Sequence, residues 1–135
     1  MDFIFLIGRI MFAFYFLNSG INHFTKMPMV VGYAASKGVW HPKTSVVISG
    51  LLLLLGSVGI ILGAYIGVAV LFLTLFLIPV SFEMHAYWRE TDPQAKMMEK
   101  MNFLRNVAFL GGLILLLFIQ YPWPYALNLV YPTGY

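Results

Sequence analysis

Residues 44–82, TSVVISGLLLLLGSVGIILGAYIGVAVLFLTLFLIPVSF, contain no charged side chain. A single helix over this stretch would be roughly 60 Å long at about 1.5 Å per residue, whereas the hydrocarbon core of a bilayer is roughly 30 Å thick. Glycines cluster near the middle of the stretch, and Gly63-Ala64 is the predicted turn. We therefore predict a transmembrane hairpin of two helices, over 45–63 and 65–86, because lipid requires every backbone polar group to be satisfied internally.

The composition indicates an integral membrane protein. Hydrophobic residues make up 61% of the 135 residues and charged residues 10%, whereas soluble domains carry about 25% charged residues. The length predicts a single domain over residues 1–135. The net charge is only +3 and the basic residues form no run, so nucleic acid is not an expected partner. The absence of cysteine excludes disulfides, thiol catalysis and cysteine-ligated metal centres.

A first helix is predicted over residues 2–22, and it contains one basic side chain, Arg9. Three residues share its helical face at three- and four-residue spacing: Ala13, Phe16 and Gly20. Because small residues let helices approach closely, we expect Arg9 to point into the bundle rather than towards lipid. The N-terminus has no basic region and Arg9 interrupts the apolar run, so no cleavable signal peptide is expected.

The remaining segments complete the predicted fold, an all-α integral membrane four-helix bundle. A fourth helix is predicted over 103–121, after a strongly charged segment at 89–102. Between the first two long helices, residues 27–38 predict a short amphipathic helix at the membrane interface, with Trp40 as an anchor. The tail, 122–135, is rich in Trp, Tyr and Pro, and we expect it to rest in the headgroup region.

The distribution of basic residues predicts the orientation. Two loops contain all of the basic residues outside the helices, and the N-terminus, the hairpin turn and the tail contain none. Because cytoplasmic loops carry an excess of Lys and Arg, both loops are expected in the cytoplasm and both termini outside the inner (plasma) membrane. The six loop residues are Lys26, Lys37, Lys43, Arg89, Lys96 and Lys100.

Four strings, taken in their order and spacing, resemble the DoxX family of small four-helix membrane proteins. They are GRIMFAFYFLNSGINHF (8–24), SGLLLLLGSVGIILG (49–63), FLIPVSFEMHAYW (76–88) and FLRNVAFLGGLILL (103–116). The resemblance covers the chain to about residue 120. It implies a four-helix membrane fold, and it implies a role beside DoxD-type subunits of thiosulfate:quinone oxidoreductase or as a scaffold that gathers soluble redox enzymes at the membrane.

Individual residues carry this resemblance, and two positions depart from it. Many family members have lysine where this chain has His23, and many have glutamate where it has Ser49. If that glutamate carries chemistry in the family, the resemblance implies that this chain lacks it. The residues that match the family pattern are Arg9, Gly20, His85, Trp88, Asn106 and Gly111, with Arg105 where lysine is common.

Charged residues within the predicted helices each allow two interpretations, because such residues are costly in lipid. Arg9 either contacts an anionic group or a quinone carbonyl, or snorkels outwards and hydrogen-bonds neighbouring carbonyls or Tyr65. Glu83 and Arg105 lie near the same ends of consecutive helices, so they form either a structural ion pair or a site with a proton-handling carboxylate. Arg105 shares a helical face with Ala108 and Gly112, so it is also expected to point inwards.

The two histidines His23 and His85 fall at similar depth on two helices. They either ligate haem or a metal, protonate a quinone, or are simple interfacial side chains, and we favour the last. The asparagines either hydrogen-bond between helices or line a small polar cavity. The predicted polar binding pocket near the cytoplasmic face consists of Arg9, Asn22, His23, Glu83, His85, Arg105 and Asn106, with no metal site.

The function favoured by these observations is a non-catalytic membrane subunit or scaffold, with a membrane-associated redox complex as the candidate assembly. The sequence has no nucleophile paired with a base, no zinc motif and no phosphate-binding loop. Membrane lipid and other membrane or peripheral subunits are the expected partners, and no cofactor is expected. The alternative is a quinone-reactive oxidoreductase subunit, with quinone as its ligand. A carrier function is disfavoured, because the chain shows no inverted repeat.

Overall fold

The computed structural model describes residues 1–127, and these residues form helices without any β-strand. The predicted all-α fold is therefore confirmed for this part of the chain. A short 3₁₀ helix, Tyr87–Arg89, lies between the last two α-helices. The α-helices are α1 (Asp2–Thr25), α2 (Met27–Ser36), α3 (Pro42–Leu62), α4 (Ile66–Glu83) and α5 (Pro93–Leu116).

Three helical segments are long and apolar enough to cross a membrane: Asp2–Thr25, Pro42–Leu62 and Ile66–Arg89. Large apolar side chains remain exposed along them, for example Phe14 at 59% and Leu55 at 58%. Such a surface is stable next to lipid and not next to water. The chain is therefore a multi-pass membrane protein in contact with lipid, as predicted.

The hairpin turn between α3 and α4 lies where the glycines predict it. Gly63 ends α3 with φ 65°, and Tyr65 precedes α4 with φ 50°, so both have left-handed backbone. Close packing of the two helices depends on Gly56, where a Cβ atom would lie 2.6 Å from the Leu73 side chain. Gly59 is packed in the same way, since its Cβ atom would lie 2.8 Å from that of Ala69.

The predicted inner face of α1 is confirmed. The buried residues of α1 are Arg9, Ala13, Phe16 and Gly20. Gly20 lies against α3, because a Cβ atom there would contact the Leu54 side chain at 2.9 Å. The core of the bundle is completed by buried side chains of the other long helices: Leu53, Ile60, Ala69, Val70, Leu73, Leu77 and Leu113.

Helix α5 begins at Pro93 and ends at Leu116, whereas the sequence prediction placed it at 103–121. The Asp92 carboxylate accepts a hydrogen bond from the Ala95 N–H at 2.8 Å and caps the first turn. The charged segment is thus mostly helical. The early start changes which residues face the bundle, and the buried positions recur every seven residues, at Glu99, Asn106 and Leu113.

Within residues 1–127, the helices α1, α3, α4 and α5 each contribute buried side chains to the core. Helices α5 and α1 meet through aromatic side chains, since the Phe109 ring lies 4.6 Å from that of Tyr15 and 5.0 Å from that of Phe16. The α3–α4 turn, residues 63–65, marks one end of the bundle, which we call the turn end. Helix α2 and the α4–α5 connection, residues 84–92, mark the other, which we call the loop end.

The start of the tail packs on the turn end of the bundle. Trp123 is 3% exposed, its ring lies 5.3 Å from that of Phe5, and the Leu127 N–H donates to the Leu62 carbonyl at 2.8 Å. These contacts place the beginning of the tail against the turn end, and its headgroup location stays a prediction. The rest of that prediction, over residues 128–135, lies outside the described residues.

Candidate functional site

The densest polar cluster of the described chain surrounds Glu99 at the loop end. Glu99 lies on the inner face of α5 and is only 6% exposed. Its Oε1 accepts hydrogen bonds from the Tyr33 hydroxyl of α2 at 3.1 Å and from Lys37 Nζ, just after α2, at 3.2 Å. These bonds connect α5 to a helix that is more than sixty residues away in sequence.

The other Glu99 oxygen, Oε2, faces the α4–α5 connection. His85 Nδ1 donates to it at 2.6 Å, and Asn102 Nδ2 donates at 3.4 Å. Lys37 also forms an ion pair with Glu90 at 2.9 Å. We call this cluster the Glu99 network; it consists of Tyr33, Lys37, His85, Glu90, Glu99 and Asn102.

The network keeps Glu99 ionised. Burial by itself would raise the pKa of Glu99, but the hydrogen bonds from His85, Lys37 and Asn102 outweigh that effect and lower it to about 2. The hydrogen bond to Glu90 raises the pKa of Lys37 despite partial burial. Burial, followed by the charge of Glu99, raises the pKa of Tyr33. The centre of the network is therefore a carboxylate held by a charged ammonium and a neutral phenol.

Chemically, His85 and Glu99 form a carboxylate–histidine pair. Because His85 Nδ1 donates to the carboxylate, a neutral His85 ring has Nε2 as its hydrogen-bond acceptor. This orientation resembles that of a base positioned by a carboxylate. Among residues 1–127, no group of three or more His, Asp or Glu side chains is arranged to hold a metal ion.

Sequence reasoning found only His85 of this network. Glu99 falls in the charged segment 89–102, because the fourth helix is predicted to start at 103. The signal that identifies Glu99 is its seven-residue spacing from Asn106 and Leu113, which places all three on one helical face. Tyr33 and Lys37 have no comparable signal, since their contacts depend on how α2 packs.

Two other predicted residues, His23 and Glu83, line a cavity of about 300 Å³ at the loop end. His23 Nδ1 donates to the Ser19 carbonyl at 2.8 Å. Glu83, at the end of α4, has no hydrogen bond or ion pair within residues 1–127. The remaining lining residues, from α2, α3, α4 and the segments beside them, are Val30, Ala34, Val39, Ser45, Val46, Ile48, Ser49, Leu52, Leu75, Phe76, Pro79, Val80 and Met84.

The predicted ion pair between Glu83 and Arg105 is not formed. Arg105 is exposed rather than turned inwards, and its guanidinium lies over the Tyr15 ring, 5.4 Å from the centroid. The physical reason is the phase of α5. Its buried face runs through the next residue, Asn106, and consecutive helical residues differ by about 100° in direction.

Of the two interpretations of the asparagines, the structure agrees for Asn106 with an interhelical hydrogen bond. Asn106 Nδ2 donates to Ser81 Oγ at 3.1 Å, and the Ser81 hydroxyl donates to the Leu77 carbonyl at 2.6 Å. Both side chains are buried between α4 and α5. Asn22, in contrast, has no side-chain hydrogen bond within residues 1–127.

Arg9 is buried at the turn end, away from the other predicted pocket residues. Its Nη1 and Nη2 donate to the carbonyls of Pro124 and Tyr125, each at 3.1 Å. The guanidinium also lies 5.8 Å from the Phe5 ring and 5.7 Å from the Trp123 ring. Of the two interpretations of Arg9, the structure agrees with hydrogen bonding to carbonyls, although these belong to the tail. The outward direction in that interpretation is wrong, because Arg9 is only 3% exposed. The seven predicted residues do not share a single pocket.

The family model described as DoxX matches residues 4–86, which is more than half of the chain. The chain belongs to the DoxX family. Neither a curated protein nor a solved structure matches it. The match includes α1 to α4 and ends just after His85, so the Glu99 side of the network lies beyond the matched residues of this DoxX protein.

Proposed function

We propose that this DoxX protein is a non-catalytic membrane subunit whose loop end forms a rigid cytoplasmic docking platform for other subunits. The observation that carries the proposal is the satisfied carboxylate of Glu99. Four donors, from α2, the segment after it, the α4–α5 connection and α5, converge on its two oxygens. A fully satisfied buried network rigidifies the surface around it.

The proposed topology has four crossing helices in the inner membrane. Helix α5 runs from the loop end, at Glu99, to the turn end, where the tail reaches Arg9 and Leu62. It packs beside α1 and α4 over this distance, which supports a fourth crossing. The loop end contains the six basic residues noted above, which supports its location in the cytoplasm, with both termini outside.

Purification of the full chain in a mild detergent tests the subunit proposal. We expect the wild-type protein to migrate in native gels as part of a complex larger than the chain alone. Glu99→Gln is expected to reduce that complex, because it weakens the platform. Glu90→Gln, which changes an outer carboxylate of the same network, is the matched control and should retain the complex. Migration of the wild type as a lone chain would contradict the proposal.

A quinone-reactive subunit is the second candidate, and the His85–Glu99 pair is the observation that favours it. The 2.6 Å hydrogen bond orients His85, and a neutral His85 has Nε2 as an acceptor for a quinol proton. This candidate predicts that quinone is extracted from the purified protein and that His85→Ala removes it. His41→Ala, at an exposed histidine of the same end, is the control. Absence of quinone from the wild-type extract would exclude this candidate.

A further inference from the structure

The cavity beside the Glu99 network has the properties of a ligand site, and His85, on which the quinone candidate depends, does not line it. It lies at the loop end, among α1, α2, α3 and α4, and its volume is about 300 Å³. An apolar cavity of roughly 150 Å³ is sufficient for benzene, so this one accepts a compact molecule with an aromatic ring and a short side chain. Its walls are mainly apolar, with side chains such as Val46, Leu52 and Phe76.

Three side chains without a full set of partners face this space from three helices. The Glu83 carboxylate has no hydrogen bond or ion pair within residues 1–127, and neither does the Ser49 hydroxyl. His23 uses Nδ1 as the donor to Ser19, so its neutral ring has Nε2 as an acceptor. Two of the three groups are therefore acceptors, and the third, Ser49, is able to accept.

The backbone of α4 adds to this excess of acceptors. Pro79 lies inside α4 and has no N–H, so the Leu75 carbonyl receives no helical hydrogen bond from it. Both residues line the cavity. The cavity also adjoins the C-terminal end of α4, where the helix dipole is negative. Glu83 is the single Asp, Glu, Lys or Arg in the lining, so the charge there is negative.

We propose that this cavity binds a small hydrophobic primary amine in its ammonium form. An ammonium group has three donors and no acceptor, and it complements the carboxylate of Glu83 in both charge and hydrogen bonding. The apolar part of the ligand lies against Leu52 and Phe76. Glu83 is exposed, so the charged group stays at the mouth of the cavity and loses little hydration. The proposal is independent of the subunit function.

Calorimetric titration of the full chain in a non-ionic detergent at neutral pH tests the proposal, with 2-phenylethylamine as the probe. Its neutral isostere 2-phenylethanol has the same ring and chain length without the charge. We expect the amine to bind the wild type at least about tenfold more tightly than the alcohol, because charge-assisted hydrogen bonds are stronger than neutral ones. Equal affinity for the two probes would overturn the proposal.

Two variants and one control distinguish the contribution of the Glu83 charge to binding from that of the cavity volume. Glu83→Gln should abolish the preference for the amine and leave the alcohol affinity unchanged, whereas Glu90→Gln, at an acid outside the cavity, should keep the preference. Ser49→Phe fills the space and should weaken both probes. Unchanged amine affinity in Glu83→Gln, or unchanged affinity for both probes in Ser49→Phe, would contradict the site.

The ammonium group has two sources in a membrane, a free amine or the headgroup of an aminophospholipid. The titration is therefore repeated in nanodiscs of phosphatidylcholine with and without phosphatidylethanolamine. Loss of amine binding in the presence of phosphatidylethanolamine assigns the cavity to the lipid headgroup, and unchanged binding assigns it to a free amine. No amine binding in pure phosphatidylcholine nanodiscs would overturn the proposal.

Discussion

Glu99 is a buried ionised carboxylate, and its removal should be costly. Glu99→Gln deletes the charge that holds Lys37 and His85, and we expect a loss of roughly 2–4 kcal/mol in the free energy of unfolding. Glu90→Gln removes a half-exposed partner of the same lysine, and its expected cost is below about 1 kcal/mol. Thermal unfolding in detergent measures both variants, and equal losses would show that Glu99 has no special role.

The low pKa of Glu99 predicts an acid-dependent stability. The pKa is about 2 in the folded chain, against an ordinary value of 4.5, so the folded state releases this proton more readily than the unfolded state. The stabilisation is therefore complete above about pH 4.5 and is lost as the pH falls through about 2. Melting temperatures of the wild type should fall in this window more steeply than those of Glu99→Gln. Parallel curves would contradict the prediction.

At the residue scale, periodicity along one helix predicted the inward direction of Arg9 but wrongly predicted the same direction for Arg105. The inward direction of Arg9 followed from small residues at three- and four-residue spacing, which is a property of α1 alone. The partners of Arg9, Glu83 and Arg105 depend on helix phase and on the path of the tail. Local sequence indicates neither the phase of a helix nor the path of the tail. The residues of the predicted pocket therefore lie at separate locations in the structure.

Among the helices, the α3–α4 turn depends on a single glycine. A Cβ atom at Gly63 would lie 2.6 Å from Ala126 Cβ and 3.0 Å from Arg9 Nη1, and its φ of 65° is unfavourable for alanine. Gly63→Ala should lower the melting temperature and release the start of the tail, measured as faster proteolysis of the C-terminal segment. Gly67→Ala, where a Cβ atom meets nothing within 4 Å, is the control and should be neutral.

The Asn106–Ser81 hydrogen bond joins α4 to α5, and a double-mutant cycle measures its contribution. Interhelical hydrogen bonds in membrane proteins contribute about 0.6 kcal/mol on average. Asn106→Ala and Ser81→Ala should each destabilise the protein, and the double variant should lose less than the sum of the two. Additive losses would show that the two side chains do not interact in the folded protein.

At the scale of helices, the hairpin was predictable, and the fourth long helix was predicted with the wrong start. An uncharged stretch twice as long as the bilayer is thick, with a glycine cluster at its centre, has few alternative folds in lipid. Helix α5 begins in a charged segment, and its N-cap at Asp92 has little hydrophobic signal around it. The first ten residues of α5 are stabilised by the contacts that Glu99 makes with α2 and with the α4–α5 connection. Periodicity along a single helix does not show such contacts.

For the whole molecule, the proposed orientation is testable because the native chain has no cysteine. A cysteine in place of Gln94 at the loop end and another in place of Asp2 at the N-terminus are clean probes. In intact cells, an impermeant maleimide should label Asp2→Cys and leave Gln94→Cys unlabelled until the membrane is opened. The reverse pattern would place the loop end outside the cell and would contradict the proposed cytoplasmic docking platform.

The contact between Arg9 and the tail has a consequence for biosynthesis. Arg9 is made well before its acceptors, the carbonyls of Pro124 and Tyr125, which are 115 and 116 residues later in the chain. The first helix therefore leaves the ribosome and enters the translocon with a cation whose final partners do not yet exist. The contacts of Arg9 with the tail can form only after residue 125 has been translated, and until then the inserted first helix carries an arginine without these acceptors.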